Sequence, residues 1–170
     1  MDQKNRSKLF FREKQKLRQF WIWLIIIIIA VISWYAFVEQ IVLKGEFGTN
    51  PAPDIVQIIF WVVFGIIFPL FLPFTKLTTE VRDNGIYIQL FPFHLTPRRI
   101  DLATLRSYEV RTYKPIREYG GWGIRKGRQG TAYNMSGNQG VQLEMYNGKR
   151  ILIGSQKPEE LFQAIEQQVE

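Results

Sequence analysis

The chain has 170 residues, 46% hydrophobic and 15% aromatic, with a formal net charge of +7; that length allows one modest domain, or a smaller domain with an appendage. It contains no cysteine and a single histidine. Disulfide frameworks, zinc ribbons, thiol nucleophiles and iron–sulfur clusters are thereby excluded, and histidine-dependent catalysis is disfavoured.

Residues 1–19 form a basic N-terminal segment with Lys4, Arg6, Lys8, Arg12, Lys14, Lys16 and Arg18 against Asp2 and Glu13. The i, i+4 spacing of Lys8, Arg12 and Lys16 predicts a short basic helix lying under a membrane. Two uncharged apolar runs follow, residues 20–38 and 55–74. At 1.5 Å rise per residue each reaches roughly 28–30 Å, the thickness of a bilayer core, so both are read as transmembrane helices. Trp21 and Trp23 near one end of the first run, and Trp34 and Tyr35 near the other, suit the aromatic belts of the two interfaces. The run is longer than a signal-peptide core and no small-residue cleavage site follows it. The connecting loop, residues 39–54, carries Lys44 against Glu39, Glu46 and Asp54. By the positive-inside rule both termini are expected in the cytoplasm and this loop outside. Pro69 and Pro73 predict a kink or an early end to the second helix. Ser33 and Gln57 are the clearly polar side chains within the runs, so ion or proton translocation has no support.

Residues 75–170 switch to strand grammar and are read as a cytoplasmic domain. Leu77, Thr79 and Val81 alternate with polar residues, as do Ile86, Ile88 and Leu90. A type I′ turn at Asn84-Gly85 would pair Val81 with Ile88 and Thr79 with Leu90. For the second hairpin, a three-residue loop Tyr146–Gly148 with Gly148 left-handed opposes Leu143 to Ile151, Val141 to Ile153 and Glu144 to Arg150, and keeps both faces consistent. Residues 98–101, 105–113 and 131–135 are three further strand candidates. Pro158 followed by Glu159 and Glu160 reads as a helix start, with Leu161, Phe162, Ile165 and Val169 as its apolar stripe. The expected fold is therefore membrane-anchored α+β, with about seven antiparallel strands forming a small barrel or bent sandwich plugged by a C-terminal helix.

The strand order, with Gly120-Gly121-Trp122-Gly123-Ile124-Arg125, Gly140-Val141-Gln142-Leu143 and Asn147-Gly148-Lys149-Arg150-Ile151, resembles that of bacterial membrane proteins of unknown function that pair a two-helix hairpin with a cytoplasmic pleckstrin-homology-like (PH-like) domain. The resemblance implies the fold and the bacterial cytoplasmic membrane, and is nearly silent on activity.

The segment 111–130 concentrates the remaining signal. Arg111, Lys114, Arg117, Arg125, Lys126 and Arg128 stand against Glu118 alone, among five glycines and Trp122. Read as a basic Gly/Trp loop, it is a candidate contact for anionic lipid headgroups, or a solvated loop whose Trp122 packs on the barrel. No GxGxxG or GxxxxGK[ST] is complete. His94 lies in a loop without a nucleophile elbow, and Glu144 has Arg150 as a cross-strand partner, so no catalytic, cofactor or metal site is expected and the chain is not read as an enzyme. The basic N-terminus is explained by topology rather than by nucleic acid. The expected role is noncatalytic: recruiting or regulating a protein partner at the membrane face, through a strand edge or the groove beside the C-terminal helix. The alternative is a sensor of anionic lipid through segment 111–130.

Overall fold

The computed structural model describes residues 7–169; Lys4 and Arg6 of the basic segment lie outside them. The chain divides into a β unit, built from the residues up to Arg18 and from Thr75 onward, and a helical unit, Gln19–Phe74.

Among the described residues of the β unit, nine strands form two sheets. The first has the order β1-β2-β3-β4, from β1 (Leu9–Lys16), β2 (Lys76–Arg82), β3 (Gly85–Phe91) and β4 (Arg98–Ile100), antiparallel throughout. The second has the order β5-β8-β9-β7-β6, from β5 (Leu105–Thr112), β6 (Gly123–Gly127), β7 (Gly130–Asn134), β8 (Gln139–Met145) and β9 (Arg150–Gly154). Its one parallel pairing joins β7 to β9. In place of a barrel closed by about seven strands, the described residues form two sheets, of four and five strands.

The apolar alternation of the sequence sets the core. Leu77, Val81, Ile86 and Ile88 from the first sheet, and Val141, Leu143, Ile151 and Ile153 from the second, share one buried cluster with Leu161 and Ile165 of the C-terminal helix, Pro158–Val169. Leu152, between the two isoleucines, points to the other face and joins Ala132, Tyr113 and Tyr119 in a second cluster. Both faces of β9 are therefore buried, which explains its unbroken run of apolar residues.

The N-terminal segment is a strand, not a helix. Arg12, Lys14 and Lys16 are exposed while Phe11, Glu13 and Gln15 are buried; residues four apart share a face in a strand as well as in a helix, which is why their spacing misleads. The inward polar side chains of β1, Glu13 and Gln15, reach partners near residue 155. Glu13 accepts from Ser155 Oγ (2.5 Å) and the Gln156 backbone N–H (2.8 Å), and Gln15 Nε2 donates to the Gly154 carbonyl (2.7 Å). Glu80, beside β1 on β2 and 1% exposed, forms ion pairs with Arg12 and Arg82, each at 2.9 Å.

The β2–β3 hairpin is slipped by two residues from the expected register: Val81 opposes Ile86 and Thr79 opposes Ile88, so Asp83 and Asn84 make the turn. Gly85 is needed inside the strand instead. Its φ is +145°, and a Cβ there would come within 2.7 Å of the Ile100 carbonyl on β4. The β8–β9 hairpin has the expected register, with Leu143 opposite Ile151, Glu144 opposite Arg150, and Gly148 at φ +77°.

The helical unit holds two helices, α1 (Phe20–Val42) and α2 (Asp54–Phe74), both long and apolar enough to cross a membrane. Their charged residues, Glu39 and Asp54, lie near the ends that face the connecting loop, and Ile25, Ile27, Ile28 and Ile32 are exposed. Within α2 the stretch Trp61–Ile67 is π-helical and Leu72–Phe74 closes as a 3-10 turn. Pro69 therefore does not end the helix; the widened turns precede it. Proline has no N–H to give the carbonyl of Gly65, four residues earlier, and that carbonyl accepts from Trp34 Nε1 of α1 at 3.1 Å. Trp61 packs edge-on to Trp34 and stacks on Phe37, with ring centroids 5.1 and 4.0 Å apart. Gln40 Nε2 donates to the Ala52 carbonyl and to Asp54 Oδ1 at the base of α2.

Candidate functional site

Segment 111–130 is not a loop. It runs from the end of β5 through a short helix, α3 (Pro115–Tyr119), into β6 and the start of β7. Pro115 at the first helical position suits the start of α3, and Glu118 reaches back to accept from the Lys114 backbone N–H at 2.7 Å. Gly120, at φ +72°, ends the helix in the left-handed conformation. Gly127 has a structural purpose too: a Cβ there would collide with the Glu118 carbonyl. The glycine lets α3 lie against β6, and is not a hinge around a ligand.

The seven candidate residues separate accordingly. Arg111 is ion-paired to Glu118 and also donates from Nη1 to Gln142 Oε1 (3.2 Å). Trp122 is partly buried, its indole N–H given to the Gly137 carbonyl at 3.0 Å. That bond fixes the turn into β6, where the Gly123 N–H donates to Asn134 Oδ1 (3.0 Å). Lys114, Arg117, Arg125, Lys126 and Arg128 remain exposed. Arg125 opposes Ala132 and Lys126 opposes Thr131, so these neighbours project from opposite faces of the sheet. Arg125 Nε also donates to the Trp122 carbonyl (3.1 Å). Five of the seven side chains thus lie exposed on a dispersed positive surface, while Arg111 and Trp122 are partly buried and engaged within the β unit.

Behind this surface, burial pushes the Tyr113 phenol up to about 12 and raises that of Tyr119 as well; the two rings meet edge to face, 6.0 Å apart. His94, in the β3–β4 connection, has its pKa lowered by burial and by the adjacent Arg98 guanidinium, and its ring lies 6.2 Å from that of Tyr133. Arg98 Nη1 donates to the Tyr133 hydroxyl at 3.3 Å. An open recess of about 250 Å³ lies beside Tyr133, with Arg98, Arg99 and Lys149 among its lining. Its one carboxylate, Asp101, accepts from the Ala103 N–H, and no nucleophile is paired with a base there. Among the described residues, no three or more His, Asp or Glu side chains are grouped to hold a metal ion.

Two features are located only by the fold. The first is the outer edge of β5. Among the described residues this eight-residue strand pairs with β8 alone. It runs beside the C-terminal helix, α4 (Pro158–Val169), where the rings of Tyr108 and Phe162 lie 5.3 Å apart. Tyr108 and Val110, alternating with Ser107, Glu109 and Arg111, signal a strand but not its place at an edge. The second is the β3–β4 connection, where Phe93 and Leu95 are exposed; apolar residues set between Pro92 and Pro97 were its signal.

The whole chain, residues 1–170, matches the model of a family of unknown function, DUF6141, and the chain belongs to that family. No curated protein matches it.

Proposed function

We propose that the chain is a noncatalytic integral protein of a bacterial cytoplasmic membrane, whose helices α1 and α2 cross the bilayer and whose β unit serves on the cytoplasmic side to recruit or regulate a protein partner. The length and apolar composition of both helices support the spanning reading. Strand pairing supports the topology: β1 precedes the hairpin and β2 follows it, and two strands of one sheet must lie on one side of a membrane. The cation-rich first segment makes that side the cytoplasm.

A PH-like fold for the β unit is supported by strand order. With the β6–β7 hairpin set aside, β1–β4 form one meander and β5, β8 and β9 a second, followed by α4. The β6–β7 hairpin extends the second sheet through the parallel pairing with β9.

The partner reading is carried by the outer edge of β5. A strand with one open edge beside a helix offers backbone donors and acceptors to an extended peptide, which adds as a further strand. Photocrosslinking residues placed at Ser107 and Glu109, both exposed on β5, test it in cells. The reading expects an adduct to one defined protein from both positions. Adducts arising only from positions distant from β5 would contradict it.

The second reading, contact with anionic lipid, is favoured by the five exposed cations of segment 111–130. Each contributes about 1 kcal/mol near an anionic surface before screening. Reversing Arg125, Lys126 and Arg128 to glutamate should abolish salt-sensitive binding of the β unit to anionic vesicles if this surface is used, and leave β5 adducts intact. Unchanged binding would end the second reading.

A further inference from the structure

Lys16, Lys76 and Phe91 stand in one row across the first sheet: Lys16 opposes Lys76, and Lys76 opposes Phe91. This row is the end of the sheet from which the chain departs into α1 and to which it returns from α2, with only Thr75 between Phe74 and Lys76. At the same end, β3 runs on past Phe91 into the connection to β4. There Phe93 is 65% and Leu95 79% exposed.

The connection is held in shape. The His94 N–H donates to the Leu90 carbonyl at 2.7 Å, and Gln89 Nε2 donates to the carbonyls of His94 (3.2 Å) and Leu95 (2.9 Å). His94 turns toward Tyr133, so its two apolar neighbours are presented outward by a braced loop. The row at this end of the sheet is cationic. Lys16 and Lys76 are exposed, and the Lys76 ammonium lies 5.5 Å from the centre of the Phe91 ring. Apolar tips beside lysines, at the point where two apolar helices leave the sheet, match the order of acyl boundary and anionic headgroup in a leaflet.

We propose that the β3–β4 connection is a membrane-interface anchor: Phe93 and Leu95 enter the boundary between headgroups and acyl chains, and Lys16 and Lys76 lie at the headgroups. The occupant of this surface is the lipid of the leaflet from which the hairpin emerges. The proposal rests on the reading that α1 and α2 span the bilayer, and it is separate from the dispersed cations of segment 111–130.

Because the chain has no cysteine, single introduced thiols can carry an environment-sensitive fluorophore. The test uses the full chain in phosphatidylcholine–phosphatidylglycerol vesicles containing spin-labelled lipid. Probes are placed at Phe93→Cys and Leu95→Cys, at Asp83→Cys in the turn at the opposite end of the sheet, and at Ile28→Cys within α1. The proposal expects blue-shifted emission at 93 and 95, with quenching at least threefold stronger than at 83 and greatest for spin labels near the headgroup. The Ile28 probe should be quenched most by labels deep in the acyl chains. If Ile28 is quenched while 93 and 95 behave like 83, the anchor is overturned and the spanning reading stands. If Ile28 escapes quenching, the spanning reading fails and takes the anchor with it.

Discussion

Lys16 lies directly opposite Lys76 in the β1–β2 ladder, although the whole helical hairpin comes between them in the chain. The β unit is therefore not a domain appended after two helices; the hairpin is inserted between its first two strands. Joining Arg18 directly to Thr75 would leave a three-residue loop, Leu17-Arg18-Thr75, which suits a β-hairpin. The fused chain is expected to be soluble and to unfold cooperatively by circular dichroism. Residues 75–170 alone lack Phe11, Glu13 and Gln15 and are expected to show no such transition.

Glu13 links the strand that leads into α1 with the start of α4. Replacing it by alanine leaves the Ser155 hydroxyl and the Gln156 N–H without their acceptor. At about 1–3 kcal/mol for each buried group left unsatisfied, Glu13→Ala should lower the stability of the fused β unit by roughly 3 kcal/mol. The exposed neighbour change Lys14→Ala should stay within about 0.5 kcal/mol. Denaturant titration of the two variants makes the comparison.

In the hairpin, the bond from Trp34 to the Gly65 carbonyl has value because Pro69 cannot supply that carbonyl with a donor. Trp34→Phe should therefore destabilise the helix pair by about 0.6–1.7 kcal/mol, from the average to the upper end of what double-mutant cycles give for interhelical bonds in membranes. In a Pro69→Ala background, where residue 69 regains an N–H, the same change should cost less. A double-mutant cycle on unfolding in mixed micelles measures the difference; equal costs in both backgrounds would remove the link to Pro69.

Tyr113 gives the β unit an alkaline limit. Its phenol is buried, and its pKa is raised from an ordinary 10.0 to about 12. Between these values the unfolded chain has lost the proton while the folded chain keeps it, so the folded state binds more protons and stability falls as pH rises. Below pH 10 the contribution is fully present; by pH 12 about 2–3 kcal/mol should be lost. Tyr113→Phe should flatten this part of the pH–stability curve, apart from a smaller slope in the same direction from Tyr119.

The sequence makes the two apolar helices, the β8–β9 register and the C-terminal helix legible, because each rests on a pattern with one solution. The β2–β3 register has two, since a slip of two residues leaves every side chain on its own face; the close approach of Ile100 to Gly85 decides it, and that contact is not local. β1 is hidden because its inward face is Phe11, Glu13 and Gln15, two polar groups whose partners lie beyond residue 150. β6 is hidden for a related reason: glycines at both its ends look like a loop, yet Gly127 is there to admit α3. Of the candidate site, the cations were visible but their separation was not. The Arg111–Glu118 pair and the opposite faces of Arg125 and Lys126 emerge only from the folded strands.

The account turns on both flanks of the hairpin sharing one side of a membrane, and thiol accessibility tests this most directly. Single cysteines at Lys14 and Tyr146, one in each flank, and at Thr49 in the α1–α2 connection are challenged with an impermeant maleimide on intact bacterial cells and on opened ones. The account predicts that Thr49→Cys reacts in intact cells, while Lys14→Cys and Tyr146→Cys react only after opening. Labelling of all three from the same side, or of the two flanks from opposite sides, would contradict it.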